Sequence, residues 1–169
     1  MNGVEKYKDF RFRPKREDRK AMGREYSDFL LDCLRSEAGK EVDDTIIFRE
    51  NSPIDFVWKD LFLGLEAKRF GRTVFRNDAH AKAWIKQQFL ERFVDYRRET
   101  GQALKIGILC VTEKRWSIEV DNWLKWMGYY LIETGQIDSI PERQIAEQKF
   151  LGQFTDILAE VCSGIGALL

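Results

Sequence analysis

Apolar positions are sparse over the first residues of the chain and then recur at helical spacing. Met22, Tyr26, Phe29, Leu30, Cys33 and Leu34 fall on one side at about 100° per residue. They predict a helix over about 19–37, ended by Ala38-Gly39. Short β-rich runs follow. Thr45-Ile46-Ile47-Phe48 marks a first strand near Asp44–Arg49. Ile54–Trp58 and Leu61–Phe70 read as a hairpin with Lys59-Asp60 as a two-residue turn. In that register Trp58 lies opposite Leu61, Val57 opposite Phe62 and Asp55 opposite Gly64. Side chains alternate faces with period two. Leu61, Leu63, Leu65 and Ala67 therefore share a core face, and Asp55, Phe62, Gly64, Glu66 and Lys68 share the other.

Helical periodicity returns after Gly71, with Asn77-Asp78 capping a helix over about 78–99 that Gly101 closes. Leu104–Val111 reads as a buried fourth strand. Residues 117–133 and 142–162 read as helices separated by Gly135 and Pro141. In the latter, Ile145, Phe150, Leu151, Phe154, Ile157, Leu158 and Val161 form a broad apolar stripe. It either covers the open face of the sheet or makes a two-fold interface in a homodimer. Helices and strands that alternate in this way predict an α/β domain. No internal repeat or low-complexity segment interrupts it.

At 169 residues, with 44% hydrophobic and 33% charged positions, the chain reads as one domain, able to bury about two-thirds of its unfolded surface. No apolar run approaches the roughly 20 residues of a membrane span, and no signal-peptide core opens the sequence. Cys33, Cys110 and Cys162 are odd in number and set in apolar sequence, which fits free thiols in a reducing cytoplasm. One histidine, His80, and no paired cysteines argue against a zinc site.

The net charge is zero but unevenly spread. Residues 1–24 hold nine basic against four acidic residues, residues 65–98 again nine against four, and residues 117–169 three against eight. A basic N-terminal arm over 1–17 carries Arg11, Arg13, Lys15 and Arg16 interleaved with aromatics, and Arg69, Arg72 and Arg76 follow in the second basic stretch. Both suit a phosphate backbone. The competing reading of the arm is a solvated terminus. Lys82 and Lys86, one helical turn apart, either reach phosphates as well or serve as ordinary surface lysines.

The candidate chemistry sits on the hairpin. Asp55 and Glu66 put two hard oxygen ligands on one face, which suits Mg²⁺ or Mn²⁺. Gly64 leaves room beside Asp55 for an ion. Lys68, two residues beyond Glu66, is placed to orient or deprotonate an attacking water and to neutralise developing charge. Together these parts suffice for metal-assisted phosphodiester hydrolysis. The plainer alternative is a solvated Glu66–Lys68 pair beside a strand-edge aspartate.

Pro53-Ile54-Asp55 followed by Glu66-Ala67-Lys68 resembles the PD-(D/E)XK nuclease superfamily, most closely the small archaeal-type Holliday junction resolvases. The resemblance spans roughly residues 20 to 115. It implies a restriction-endonuclease-like core of helix, three strands, helix and strand with a central mixed sheet. The helices from about 117 would then be additions within a single nuclease domain over 18–169. It further implies that Asp55, Glu66 and the Ala67 main-chain carbonyl hold the metal, that Lys68 activates water, and that Glu25 on the first helix assists. The resulting expectation is a Mg²⁺-dependent DNA endonuclease. A non-catalytic nucleic-acid-binding module and an assembly subunit that keep the fold are the alternatives.

Overall fold

The computed structural model describes residues 16–38, 46–48, 53–58, 61–71 and 74–168. In chain order the elements are α1 (Arg16–Ala38), β1 (Ile46–Phe48), β2 (Phe56–Trp58), β3 (Leu63–Lys68), α2 (Asp78–Ile85), a π turn (Lys86–Leu90), α3 (Glu91–Thr100), β4 (Ile106–Val111), α4 (Ile118–Trp126), β5 (Tyr129–Glu133) and α5 (Ile140–Leu168). The strands form one mixed sheet in the order β1-β2-β3-β4-β5. The first three are antiparallel, and β3, β4 and β5 run parallel. The chain is thus α/β, with helix, three strands, helix and strand opening it.

Strand alternation sorts the core into two faces. Leu63, Leu65 and Ala67 of β3, with Ile106, Ile108 and Cys110 of β4, pack beneath α1 and α5. Leu109 and Val111 of β4 and the partly buried Tyr129 and Leu131 of β5 pack beneath the α2–α3 helix and α4. Both parallel crossovers place their helices on the same face, as two right-handed connections in one direction require. The remaining face falls to the elements that flank them in sequence, α1 and α5. Tyr26 pins α1 to the sheet, its hydroxyl bonding Thr134 Oγ1 at 2.8 Å and Cys110 Sγ at 3.2 Å.

Local signals explain several boundaries. Asn77 accepts a hydrogen bond from the His80 amide and so caps α2. Gly101, at φ 71°, ends α3 in the left-handed conformation that glycine adopts without cost. Pro141 sits in the first turn of α5, where its missing N–H has no helical partner to lose.

Three expectations need correction. Residues 117–133 are not one helix, because α4 stops at Trp126 and Tyr129–Glu133 is a fifth strand. The break lies at Met127-Gly128, with Gly128 at φ 85°, and the run beyond it is rich in aromatic and β-branched residues. The hairpin register differs too. Phe56, Val57 and Trp58 pair with Leu65, Gly64 and Leu63, two residues off the expected alignment. A two-residue turn needs positive φ at its centre, which Lys59-Asp60 does not favour, and the connection instead runs on through Phe62, at φ 51°. A shift of two keeps every side chain on its expected face. Lastly, α1 begins at Arg16, so the predicted arm boundary at 17 falls inside a helix. Residues 1–15 lie outside the described ones.

Gly64 and Gly107 stand side by side in the β3–β4 register. A Cβ at Gly64 would meet Leu104 Cδ1 at 2.8 Å and Phe93 Cε1 at 2.9 Å, and one at Gly107 would meet Tyr129 Cδ1 at 2.5 Å. The two glycines form a floor on which the Phe93 ring lies directly, so α3 comes close to the sheet. Gly107→Ala is accordingly expected to lower unfolding free energy by about 1–3 kcal/mol through overpacking. Urea unfolding checks this, and an unchanged midpoint would mean that Tyr129 moves aside freely.

Candidate active site

One step past the end of the β2–β3 ladder, Asp55 comes level with Glu66. Asp55 Oδ2 accepts a hydrogen bond from the Ala67 N–H at 2.8 Å, which fixes the carboxylate against β3. A strand residue directs its N–H and C=O to the same side. The Ala67 carbonyl therefore points toward the strand edge that Asp55 occupies. Glu66 and Lys68 share a face of β3, with Lys68 Nζ 3.9 Å from Glu66 Oε1. The glutamate side chain is only 3% exposed and the lysine 22%, so the acid is sealed in and the lysine lies at the margin. Asp55, Glu66, Ala67 and Lys68 are thus brought together as expected.

Glu66 is the anomaly of the fold. Its Oε2 is buried without a hydrogen-bond partner. Burial, then the neighbouring Asp55 charge and a hydrogen bond with Asp55, push its carboxyl up to about 9, against the opposing pull of Lys68 and Arg92. Glu66 is therefore protonated at neutral pH when no cation balances it. The unfolded chain releases this proton above about 4.5, whereas the folded protein keeps it to about 9. Folding stability consequently falls as pH rises through that window, by up to about 1.4 kcal/mol per unit. Thermal unfolding of metal-free protein between pH 5.5 and 8.5 should show the fall, and Glu66→Gln should flatten it. A pH-independent wild type would contradict the buried proton.

The sequence missed Arg92. It lies on α3 one residue before Phe93, and its Nε is buried without a hydrogen-bond partner. Nothing in its surroundings in sequence separates it from the other cations of residues 65–98. Only the close approach of α3 over the two glycines brings it within electrostatic reach of Glu66.

Other candidates go elsewhere. Gly64 offers no room for an ion, because Phe93 and Leu104 fill the space a side chain would take. Glu25 does not join Asp55 and Glu66. No group of three or more His, Cys, Asp or Glu suited to a metal forms among the described residues. Glu25 instead accepts hydrogen bonds from Arg69 at 3.1 Å and Arg143 at 2.6 Å. Arg69 also pairs with Asp138, and its side chain is 7% exposed. The odd parity of Arg69 turns it away from Lys68 onto the α1 face, where it ties α1 to the segment before α5. Its charge is shared between two carboxylates, Glu25 and Asp138.

Lys82 and Lys86 lie over the Trp123 ring at 5.5 Å and 6.0 Å, a cation–π arrangement that joins α2 to α4. Arg76 is exposed, and its N–H donates to His80 Nδ1. Arg11, Arg13, Lys15 and Arg72 lie outside the described residues, as does the side chain of Arg16. Burial pushes the Cys33 and Cys110 thiols up to about 12, which makes both poor nucleophiles. Among the described residues no helix is long and apolar enough to cross a membrane.

No protein-family model, curated protein or solved structure matches this chain.

Proposed function

We propose that the chain is a metal-dependent DNA endonuclease of the PD-(D/E)XK type, with its active site at Asp55, Glu66 and Lys68. The observation that carries this reading is the buried Glu66 carboxyl, which has an unpartnered oxygen beside a second carboxylate and an ammonium. A carboxyl kept in that state costs stability, and a bound cation removes the cost. The element order, with three antiparallel strands leading into a parallel pair, supports the restriction-endonuclease-like assignment.

The donors fit a hard cation. Two carboxylates and one carbonyl match Mg²⁺ or Mn²⁺, which take few protein ligands and keep waters or substrate phosphate oxygens on the rest. Asp55, Glu66 and the Ala67 carbonyl would hold it. When bound, such an ion stabilises charge on the phosphoryl oxygen and makes water more acidic.

The protein's own groups do the remainder. The Ala67 N–H locks the Asp55 carboxylate in one orientation. Lys68, at the exposed margin of the cluster, orients the attacking water, takes up its proton or offsets the growing negative charge. Arg92, held close by α3, adds positive potential beside Glu66.

The test is cleavage across a panel of duplex, branched and single-stranded DNA. Activity should appear with Mg²⁺ or Mn²⁺ and vanish in excess chelator, and Ca²⁺ should bind without supporting turnover. Undiminished cleavage in chelator would overturn the metal assignment. DNA binding with neither metal affinity nor cleavage would favour the non-catalytic module instead.

A further inference from the structure

The outer edge of β5 lies in a cleft of about 470 Å³ between α4 and α5. It is separate in sequence from the acidic cluster, two strands away across the sheet, and its backbone is only partly used. Thr134 N–H bonds Val111 O across the β4–β5 ladder. By strand alternation, Ile132 and Tyr130 then point their amides inward, and Glu133, Leu131 and Tyr129 point theirs outward.

At Glu133 the outward pair is taken by the Gln153 side chain. Its Nε2 donates to Glu133 O at 2.8 Å, and its Oε1 accepts from Glu133 N at 3.1 Å. A primary carboxamide donating and accepting in this way reproduces what a residue of a neighbouring strand would do. The next two outward positions, Leu131 and Tyr129, have no such partner among the described residues. An edge so exposed invites another strand.

The walls say what kind. Lys125 stands on α4 and Lys149 on α5, both exposed and both without a carboxylate partner among the described residues. The third cation, Lys114, is spent on Asp121, its Nζ lying 2.5 Å from Oδ2. Successive side chains of an extended strand point to opposite sides. Two adjacent acidic residues on a strand paired with β5 would therefore reach one lysine on each wall. A second copy of this chain is a poorer occupant, because its own α4 and α5 would flank its β5 and meet these walls.

We propose that the β5 edge docks an extended peptide segment bearing two consecutive acidic residues, which adds to the sheet as its next strand. About four residues, at roughly 3.3 Å each, span the open run. The site owes nothing to the nuclease reading and would stand if that reading failed.

The test uses the full chain, isotope-labelled, titrated with the capped hexapeptide Thr-Val-Glu-Glu-Val-Thr. Amide shifts are expected at Tyr129 and Leu131, with binding at least tenfold tighter than for the same peptide with two central lysines. Lys125→Glu combined with Lys149→Glu should reverse that preference. N-methylation of alternate peptide residues should abolish binding in one register and spare it in the other. The proposal is overturned by equal affinity for the two peptides, by indifference to N-methylation, or by no binding at millimolar peptide. It is equally overturned if the same shifts arise from protein concentration alone, which would give the edge to a second copy.

Discussion

Replacing Glu66 by glutamine is expected to make the fold more stable at pH 8 and, on the proposed nuclease reading, to abolish metal-dependent cleavage. The two effects share one cause. In the folded protein this residue is 2% exposed, level with Asp55, and has a carboxyl oxygen without a hydrogen-bond partner. A residue selected for stability would not be left so. Glutamine keeps the shape without an ionisable group, so the cost of holding a proton that the unfolded chain releases disappears. The gain should be greatest at pH 8, at most about 1.4 kcal/mol for each unit above 4.5, and should shrink toward pH 5, close to where unfolded Glu66 itself takes up a proton. On the proposed nuclease reading Glu66 is a metal ligand, and its loss would forfeit several kcal/mol of transition-state stabilisation, on the order of a thousandfold in rate. Thermal melts at both pH values and single-turnover cleavage read the two effects. A variant that melts lower at pH 8 and still cuts within tenfold of wild type would remove Glu66 from the active site.

Lys68→Ala should reduce cleavage by about 10²–10⁴-fold while the protein still binds Mn²⁺, measured by calorimetry. The Lys68 side chain is far less buried than that of Glu66, so it can meet an incoming water at the margin of the cluster. Lys68→Arg separates its two uses. Arginine supplies charge but does not give up a proton. A rate restored to near wild type by arginine would assign Lys68 to charge stabilisation, whereas a rate as low as that of alanine would assign it to proton transfer. Because Lys68 also pulls the Glu66 carboxyl downward, its loss should extend to higher pH the window in which stability falls. Loss of Mn²⁺ binding with Lys68→Ala would show that the lysine organises the site and does not act on water.

Much of this was legible in the chain because parity is robust. A hairpin loop two residues longer than expected moved the register, yet Asp55, Glu66 and Lys68 stayed on one face. The caps at Asn77 and Gly101 were readable because each rests on chemistry within a few residues. What could not be read depends on elements distant in sequence. Arg69 looks like its basic neighbours until α1 supplies Glu25 and the segment before α5 supplies Asp138. Gly64 reads as empty space until Phe93 and Leu104 fill it. Strand β5 was hidden for a local reason. Its apolar residues follow those of α4 after a break of only two residues, Met127 and Gly128, so the two runs read as one stretch until the positive φ of Gly128 turns the chain.

The two covers of the sheet reach it at different times during synthesis. The face under α2, α3 and α4 is closed by helices made between the strands they connect, so it can form as the sheet forms. The opposite face holds Leu65, Ile108 and Ile132 and needs α5, which follows every strand. At about 5–20 residues per second, a chain that has strung all of β1 to β5 spends seconds with half of that face bare. Until α5 is added that face carries α1 alone. The last helix thus acts as a timer on folding, and lesions within α5 are expected to show first as a lower yield of folded protein.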